Sequence, residues 1–470
     1  MLHLPEESLT DNHTPKKIVL VLFHNDFRVN DNATLEHAAT LASSNQGRLL
    51  LLYASSLTNT DKQKTWSKAY HFDEMGFARQ QFLAESLADL DESLHHLGNK
   101  LLYLPTDSLS TDNSLSKIDT FTQLCHLIEQ QSVTDICVSR TADYAQNQAY
   151  AALQVRFPQI SWHSQPTTTL FTAMPTKDLP KSFTQFRKQV ESNYDLLNGD
   201  NDLTVTPMPK FLPPLPDDMI SNSVFFYQAQ TFDKHAQQEA RFKGGETSAS
   251  AHLTDYFNSE APSNYKTTRN ALDDWTHSTK FSAWLANGSL SVKVLLNRLR
   301  QYERDVIANE STYWIWFELL WREYFYWYAM NHQQKIFLFQ GISSQKPMTR
   351  SDKKLAQQRL QQWQTGTTPY PIVNACMHQL KSTGYMSNRG RQIVASCFIH
   401  ELGLDWRYGA SYFEQHLIDY DVASNWGNWQ YLAGVGADPR GCRQFNLVKQ
   451  TEQHDPNGIF IDKWQGKGIS

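Results

Sequence analysis

The sequence predicts a two-part fold: a doubly wound parallel-sheet α/β domain at the N-terminus, then an all-helical domain. Three observations predict it. Short apolar runs at 17–23 (KIVLVLF), 48–54 (RLLLLYA) and 134–140 (TDICVSR) alternate with helical patterns around 64–97 and 119–131. Such strand–helix alternation favours a parallel sheet covered on both faces. From Gly244 onward the strand signals vanish. Between the two halves, residues 166–236 turn proline-rich.

Each element follows from its residues. The three apolar runs are unbroken rather than alternating, as strands buried on both faces require. PTKDLP and TPMPKFLPPLP can continue neither a helix nor a central strand, so 166–236 reads as a connector with one helix around 182–192. GGETSASAHLTDYF, SVKVLLNRLRQYERDVI, STYWIWFELLWREYFYWYAM and SNRGRQIVASCFIHEL carry helical periodicity. The expected domains are 15–165, the connector 166–236 and the helical unit 237–465.

Bulk numbers narrow the functional classes. The 470 residues are 40% hydrophobic and 12% aromatic, with 13 Trp and 25 Phe, which suits a protein that buries a planar cofactor or stacks bases. The net charge of −5 supplies no global basic field, so a nucleic-acid contact would need a local basic face. Cys125, Cys137, Cys376, Cys397 and Cys442 are scattered, without a CxxC pair, and read as free thiols of a reducing cytosol. The N-terminus has no signal-peptide pattern. The aromatic stretch near 313–330 carries Glu318, Arg322 and Glu323, against a membrane span.

Four segments carry candidate chemistry. In Ser387–Gln392 (SNRGRQ), Ser387 is a candidate N-cap and Asn388, Arg391 and Gln392 share a helix face. Some thirty residues later, DYDVASNWGNW sets two carboxylates, Asp419 and Asp421, two residues apart. An amide, Asn425, follows four residues on, and Trp429 four beyond that. Arg391 can pair with Asp419 or Asp421. The carboxylates alone would also suit an acid/base pair or half a metal site, but no other ligand cluster supports a metal. Glu318, Trp321 and Arg322 share one face of a helix, a platform able to stack one base and hydrogen-bond another. Tyr265 precedes Ser278–Thr279–Lys280–Phe281–Ser282, whose hydroxyls and helix-start N–H groups suit an anion.

Read as MSNRGRQ, IDYD, SNWGNW and YKTTRNALDDWTHSTKFSAWLANGSLS, these segments resemble the photolyase and cryptochrome family, and within it the DASH-type branch. The opening FHNDFRVNDNATLEHA (23–38) is similar to the family's first loop, with Phe23 and His24 departing from its lettering. The resemblance spans Ile18 to Trp464. It implies bound FAD, held by Tyr265, Ser278, Thr279, Lys280, Phe281, Ser282, Arg322, Asn388, Arg391, Asp419, Asp421 and Asn425, the last facing flavin N5. It implies a substrate pocket of Glu318, Trp321, Asn388, Arg389, Gln392 and Tyr431. It also implies an electron path through Trp429 and Trp406, with Met348 or Lys353 where the outer Trp usually stands. Tyr431 replaces a Trp that stacks a lesion in duplex-repairing members. The expectation is therefore blue-light repair of cyclobutane pyrimidine dimers in single-stranded DNA by a cytoplasmic monomer. The alternative is a photoreceptor that signals through a protein partner. A (6-4) photolyase would need His at 388 and 392, where Asn388 and Gln392 stand. A folate antenna (5,10-methenyltetrahydrofolate), with Asp143 the nearest carboxylate, and RNA binding stay open.

Overall fold

The computed structural model describes residues 16–44, 46–55, 57, 75–105, 119–193, 204–220, 226–229, 242–344, 347, 353–437 and 444–465. Five strands, β1 (Ile18–Phe23), β2 (Arg48–Ala54), β3 (Leu101–Leu104), β4 (Asp135–Ser139) and β5 (Ser161–Gln165), form one parallel sheet in the order β3-β2-β1-β4-β5. Leu20 pairs with Leu50 on one side and Ile136 on the other. Successive residues of β1 enter opposite cores. Val19, Val21 and Phe23 pack into one and Leu20 and Leu22 into the other, which is why the run is apolar throughout.

The helices beside the sheet are α1 (Ala33–Ser43), α2 (Phe77–His96), α3 (Thr120–Gln130) and α4 (Tyr144–Arg156). The pattern read at 64–97 is helical from Phe77, and residues 58–74 lie outside the described ones. Then follow α5 (Phe183–Asn193), α6 (Asp217–Ile220), α7 (Glu246–Phe257), α8 (Ala261–Thr268), α9 (Ser282–Ala286), α10 (Val292–Asp305), α11 (Glu310–His332), α12 (Lys353–Thr365), α13 (Pro371–Thr383), α14 (Asn388–Ser396), α15 (Trp406–His416), α16 (Val422–Leu432), α17 (Leu447–His454) and α18 (Ile459–Gln465). Apart from α6, whose Met219 packs with the sheet, their core is continuous and includes Phe183, Phe186 and Val190 of α5. That part of the proline-rich connector is thus packed into the helical unit.

The loop leaving β1 joins the two units. Arg28 is 2% exposed and donates to the carbonyls of Gly288 (2.8 Å), Thr167 (2.7 Å) and Asp31 (2.7 Å). Asp31 accepts from the Ser291 hydroxyl and from the Thr206 N–H at 2.8 Å. Glu246 accepts from the N–H groups of Val29 (2.7 Å) and Asn30 (3.1 Å). Gly288 lies so close that an added Cβ would stand 2.0 Å from the Asn25 carbonyl oxygen. The FHNDFRVND segment therefore works as a buried polar lock between the sheet and the helices.

Candidate functional site

A cavity of about 250 Å³ opens between α8, α9, α11, α14 and the start of α16. Of the residues expected to hold a cofactor, Tyr265, Ser278, Thr279, Lys280, Phe281, Ser282, Arg322, Asn388, Arg391, Asp419 and Asp421 all line it. Asn425 does not. It is half-buried on α16 with its Nδ2 donating to the Ala410 carbonyl at 3.0 Å.

Local chemistry builds each wall. Ser387 caps α14 by accepting from the Gly390 N–H at 3.1 Å, as its sequence position suggests. This projects Arg391 toward the cavity. Its Nη2 donates to Asp419 Oδ2 at 2.7 Å and its Nε to the Met386 carbonyl at 2.8 Å. Of the two possible partners, Asp419 takes the arginine. Asp421 instead caps α16 through the Ser424 N–H at 2.7 Å. Across the cavity Lys280 adopts φ +56°, a left-handed conformation that non-glycine residues rarely take. Its Nζ donates to Ser278 Oγ and the Asp274 carbonyl, both at 2.8 Å. The turn delivers Phe281 and Ser282 to the start of α9, which has no side-chain cap. Arg322 is aimed by the carbonyls of Thr168 (2.8 Å) and Leu285 (3.4 Å). Burial pushes the Tyr265 phenol up to about 12, so it remains a hydrogen-bond donor.

The cavity suits a nucleotide cofactor. Four cations, Arg269, Lys280, Arg322 and Arg391, face three carboxylates, Glu318, Asp419 and Asp421. Asp419 Oδ1 is buried and has no partner, an acceptor in want of a donor such as a ribose hydroxyl or a flavin N–H.

Glu318 lines the same cavity, and one turn further along α11 Trp321 begins a separate aromatic cluster. Trp321 stacks on Phe183 (centroids 3.8 Å apart, 13°) and meets Tyr431 edge-on (6.1 Å, 76°). Arg389 is held by Asn270 Oδ1 at 3.1 Å, and its guanidinium carbon lies 5.8 Å from the centre of the Phe445 ring. Asn388 is exposed and Gln392 half-buried on the same helix. Sequence reasoning missed Arg269 and Tyr385. Arg269 ion-pairs with Glu318, and Tyr385 meets Ser278 Oγ at 3.3 Å. Arg269 follows Tyr265 by four residues, a same-face spacing that could have exposed it.

Trp429 and Trp406 are both buried and line no part of this cavity. Trp429 packs on Phe413 (5.2 Å) and Trp363 (6.3 Å), and Trp406 on Trp426 (5.8 Å). Gly409 of α15 admits the Trp429 ring: an added Cβ would lie 2.3 Å from Cη2. Lys353 is exposed at the start of α12, whereas Met348 lies outside the described residues. Asp143, the carboxylate considered for an antenna, caps α4 through Ala145 N–H (2.8 Å) and Gln146 N–H (3.2 Å). Cys125, Cys137, Cys376 and Cys397 are buried free thiols, and Cys442 lies outside the described residues. Among the described residues no group of three or more His, Cys, Asp or Glu could hold a metal, and no helix is long and apolar enough to cross a membrane.

This fold and cavity define a photolyase-type flavoprotein. Residues 19–212 match the family described as DNA photolyase, and 314–467 match the FAD binding domain of DNA photolyase. The chain is 47% identical to a cryptochrome DASH of Idiomarina loihiensis over 454 residues, covering 96% of this chain and 93% of that one. It is 46% identical to the cryptochrome DASH of Vibrio parahaemolyticus, covering 96% and 94%. The crystal structure of a Synechocystis cryptochrome superposes with a TM-score of 0.78 at 32% identity, covering 99% of this chain and 90% of that one. The chain belongs to the photolyase/cryptochrome family, in its cryptochrome DASH branch.

Proposed function

We propose that this protein repairs cyclobutane pyrimidine dimers in single-stranded DNA under blue light. The observation that carries the reading is the junction at Glu318. One side of α11 lines the cofactor cavity, and the next turn presents Trp321 beside Tyr431. The cavity residues Tyr265, Ser278–Ser282, Arg322, Arg391, Asp419 and Asp421 would hold FAD, which when reduced would supply light-driven electron donation for dimer splitting.

The chain's own groups do the rest. The half-buried Arg391 and the buried Asp419 form a pair that orients a polar ring edge. Arg322, fixed by two backbone carbonyls, and the hydroxyls of the Ser278–Ser282 turn bind anionic oxygens. Trp321, backed by Phe183, offers a flat apolar surface for one pyrimidine ring, and Glu318, oriented by Arg269, accepts hydrogen bonds from a base edge. Closing the base against these rings excludes water from the reacting bonds. Tyr431 gives less stacking area than a Trp. Stacking is worth roughly 1–3 kcal/mol per base, and extruding a paired base costs a few kcal/mol, so an unpaired strand is the favoured substrate. Trp429 and Trp406 are the oxidisable rings proposed to carry reducing electrons inward.

Illumination of flavin-loaded protein with dimer-bearing oligonucleotides tests this. Single-stranded dimers should be repaired faster than duplex dimers at matched salt. Equal rates would overturn the single-strand preference. No repair of either would favour light-driven signalling through a protein partner.

A further inference from the structure

A second cavity, of about 1030 Å³, lies beside the first and shares Lys280 and Tyr385 with it. Nothing described above uses it. We propose that this cavity is a second nucleotide site, taking a nucleobase with its phosphate either as a free mononucleotide or as one unit of a bound single strand.

Three features point to that ligand. The first is an aromatic wall of half-buried rings, with Trp275 against Phe242 (4.9 Å, 62°) and Phe242 against Tyr385 (5.0 Å, 38°). Aromatic rings lining a cavity are the groups on which planar bases stack without regard to sequence.

The second is buried, unsatisfied polarity. Gln379 is 4% exposed, lines the cavity, and its Oε1 has no hydrogen-bond partner. His454 Nε2 is likewise buried and unpartnered, and burial together with the nearby Arg389 lowers the pKa of this imidazole, favouring its neutral form. A carboxamide sets an acceptor beside a donor, and a neutral imidazole offers one of each, the pattern that base edges complement. A native interior seldom leaves such groups unpaired unless something else pairs them.

The third is charge. Lys463 and His277 stand at the mouth with exposed side chains, each beside a carboxylate (Asp273 at 2.7 Å, Asp274 at 3.8 Å), so a phosphate would bind there by displacing these partners. The neighbouring carboxylates are engaged within the fold. Asp455 accepts from the N–H groups of Phe460 (2.9 Å) and Ile461 (3.0 Å), Asp274 from that of Thr276 (3.0 Å), and Asp273 pairs with Lys463 at 2.7 Å.

The site stands on its own lining and does not depend on the repair reaction. The test uses flavin-saturated protein, so that the first cavity cannot take the probe, with flavin uptake recorded by absorbance beforehand. Titration calorimetry is run with dAMP, TMP and an undamaged oligothymidylate, on the parent and on Gln379→Leu and Trp275→Ala. Neither substituted residue lines the first cavity, and the half-exposed Trp275 keeps the test usable should Gln379→Leu fail to fold. One-to-one mononucleotide binding, weakened about tenfold by each substitution, supports a free-nucleotide site. Undetectable mononucleotide binding, with oligothymidylate binding weakened about tenfold by the same substitutions, assigns the site to a unit of the strand. The proposal is overturned if the variants bind every probe as tightly as the parent, or if the parent binds none.

Discussion

Replacing Glu323 by Gln should remove a pH-dependent weakness of the fold. Glu323 sits on α11 with no solvent exposure, next to Arg322. Its Oε1 accepts from the Leu170 N–H at 3.0 Å, and its Oε2 is buried without a partner. Burial is the main cause that pushes this carboxyl up to about 7 from 4.5, opposed by Arg322 and the Leu170 N–H. A carboxyl raised by folding contributes stability that is full below about 4.5 and is lost as pH rises to about 7. At 1.36 kcal/mol per pH unit the loss totals about 3 kcal/mol, most of it between pH 5 and pH 8. Glutamine keeps the oxygen that Leu170 uses and cannot ionise. Urea unfolding followed by tryptophan fluorescence, at several pH values from 5 to 8, should show Glu323→Gln gaining on the parent by about 2–3 kcal/mol across that range. If the two stability profiles run parallel, Glu323 does not titrate in the folded protein and the argument fails.

Three other substitutions probe the site. Asp419→Asn should leave Arg391 without its carboxylate, and purified protein should lose most of its bound flavin absorbance; full flavin content would remove Asp419 from the cofactor wall. Gly409→Ala drives a methyl into the Trp429 ring, so melting temperature should fall by several degrees, equivalent to about 1–3 kcal/mol, and an unchanged melt would contradict the packing. Tyr431→Trp should recover part of the repair of duplex dimers, measured against single-stranded dimers in one assay, because it adds stacking area where Trp321 and Tyr431 meet.

Much of this architecture was legible from local pattern. β1, β2 and β4 were readable because strands covered on both faces carry uninterrupted apolar runs. β3 and β5 were not. LLYL is four residues long, and SWHSQ is an edge strand with no buried residue. The proline-rich stretch read as a tether, yet Phe183 lies against Trp321, a contact between residues 138 positions apart that no local pattern encodes. The cavity-lining residues were readable because they cluster in motifs. Asn425 does not line the cavity, since a helix repeat fixes which face a residue shares but not which neighbour that face meets.

The lock formed by Arg28, Asp31 and Glu246 sets how the chain can be cut. A helical fragment produced alone would lose the guanidinium that satisfies the Gly288 and Thr167 carbonyls and the carboxylate that holds Ser291. A sheet fragment would carry a formerly buried arginine into water beside an aspartate stripped of its serine partner. Each half lends the other its missing hydrogen-bonding groups. The two parts are therefore tied through shared hydrogen bonds, and a chimera that changes the loop after β1 without the matching turn at Gly288 should be less stable than the parent.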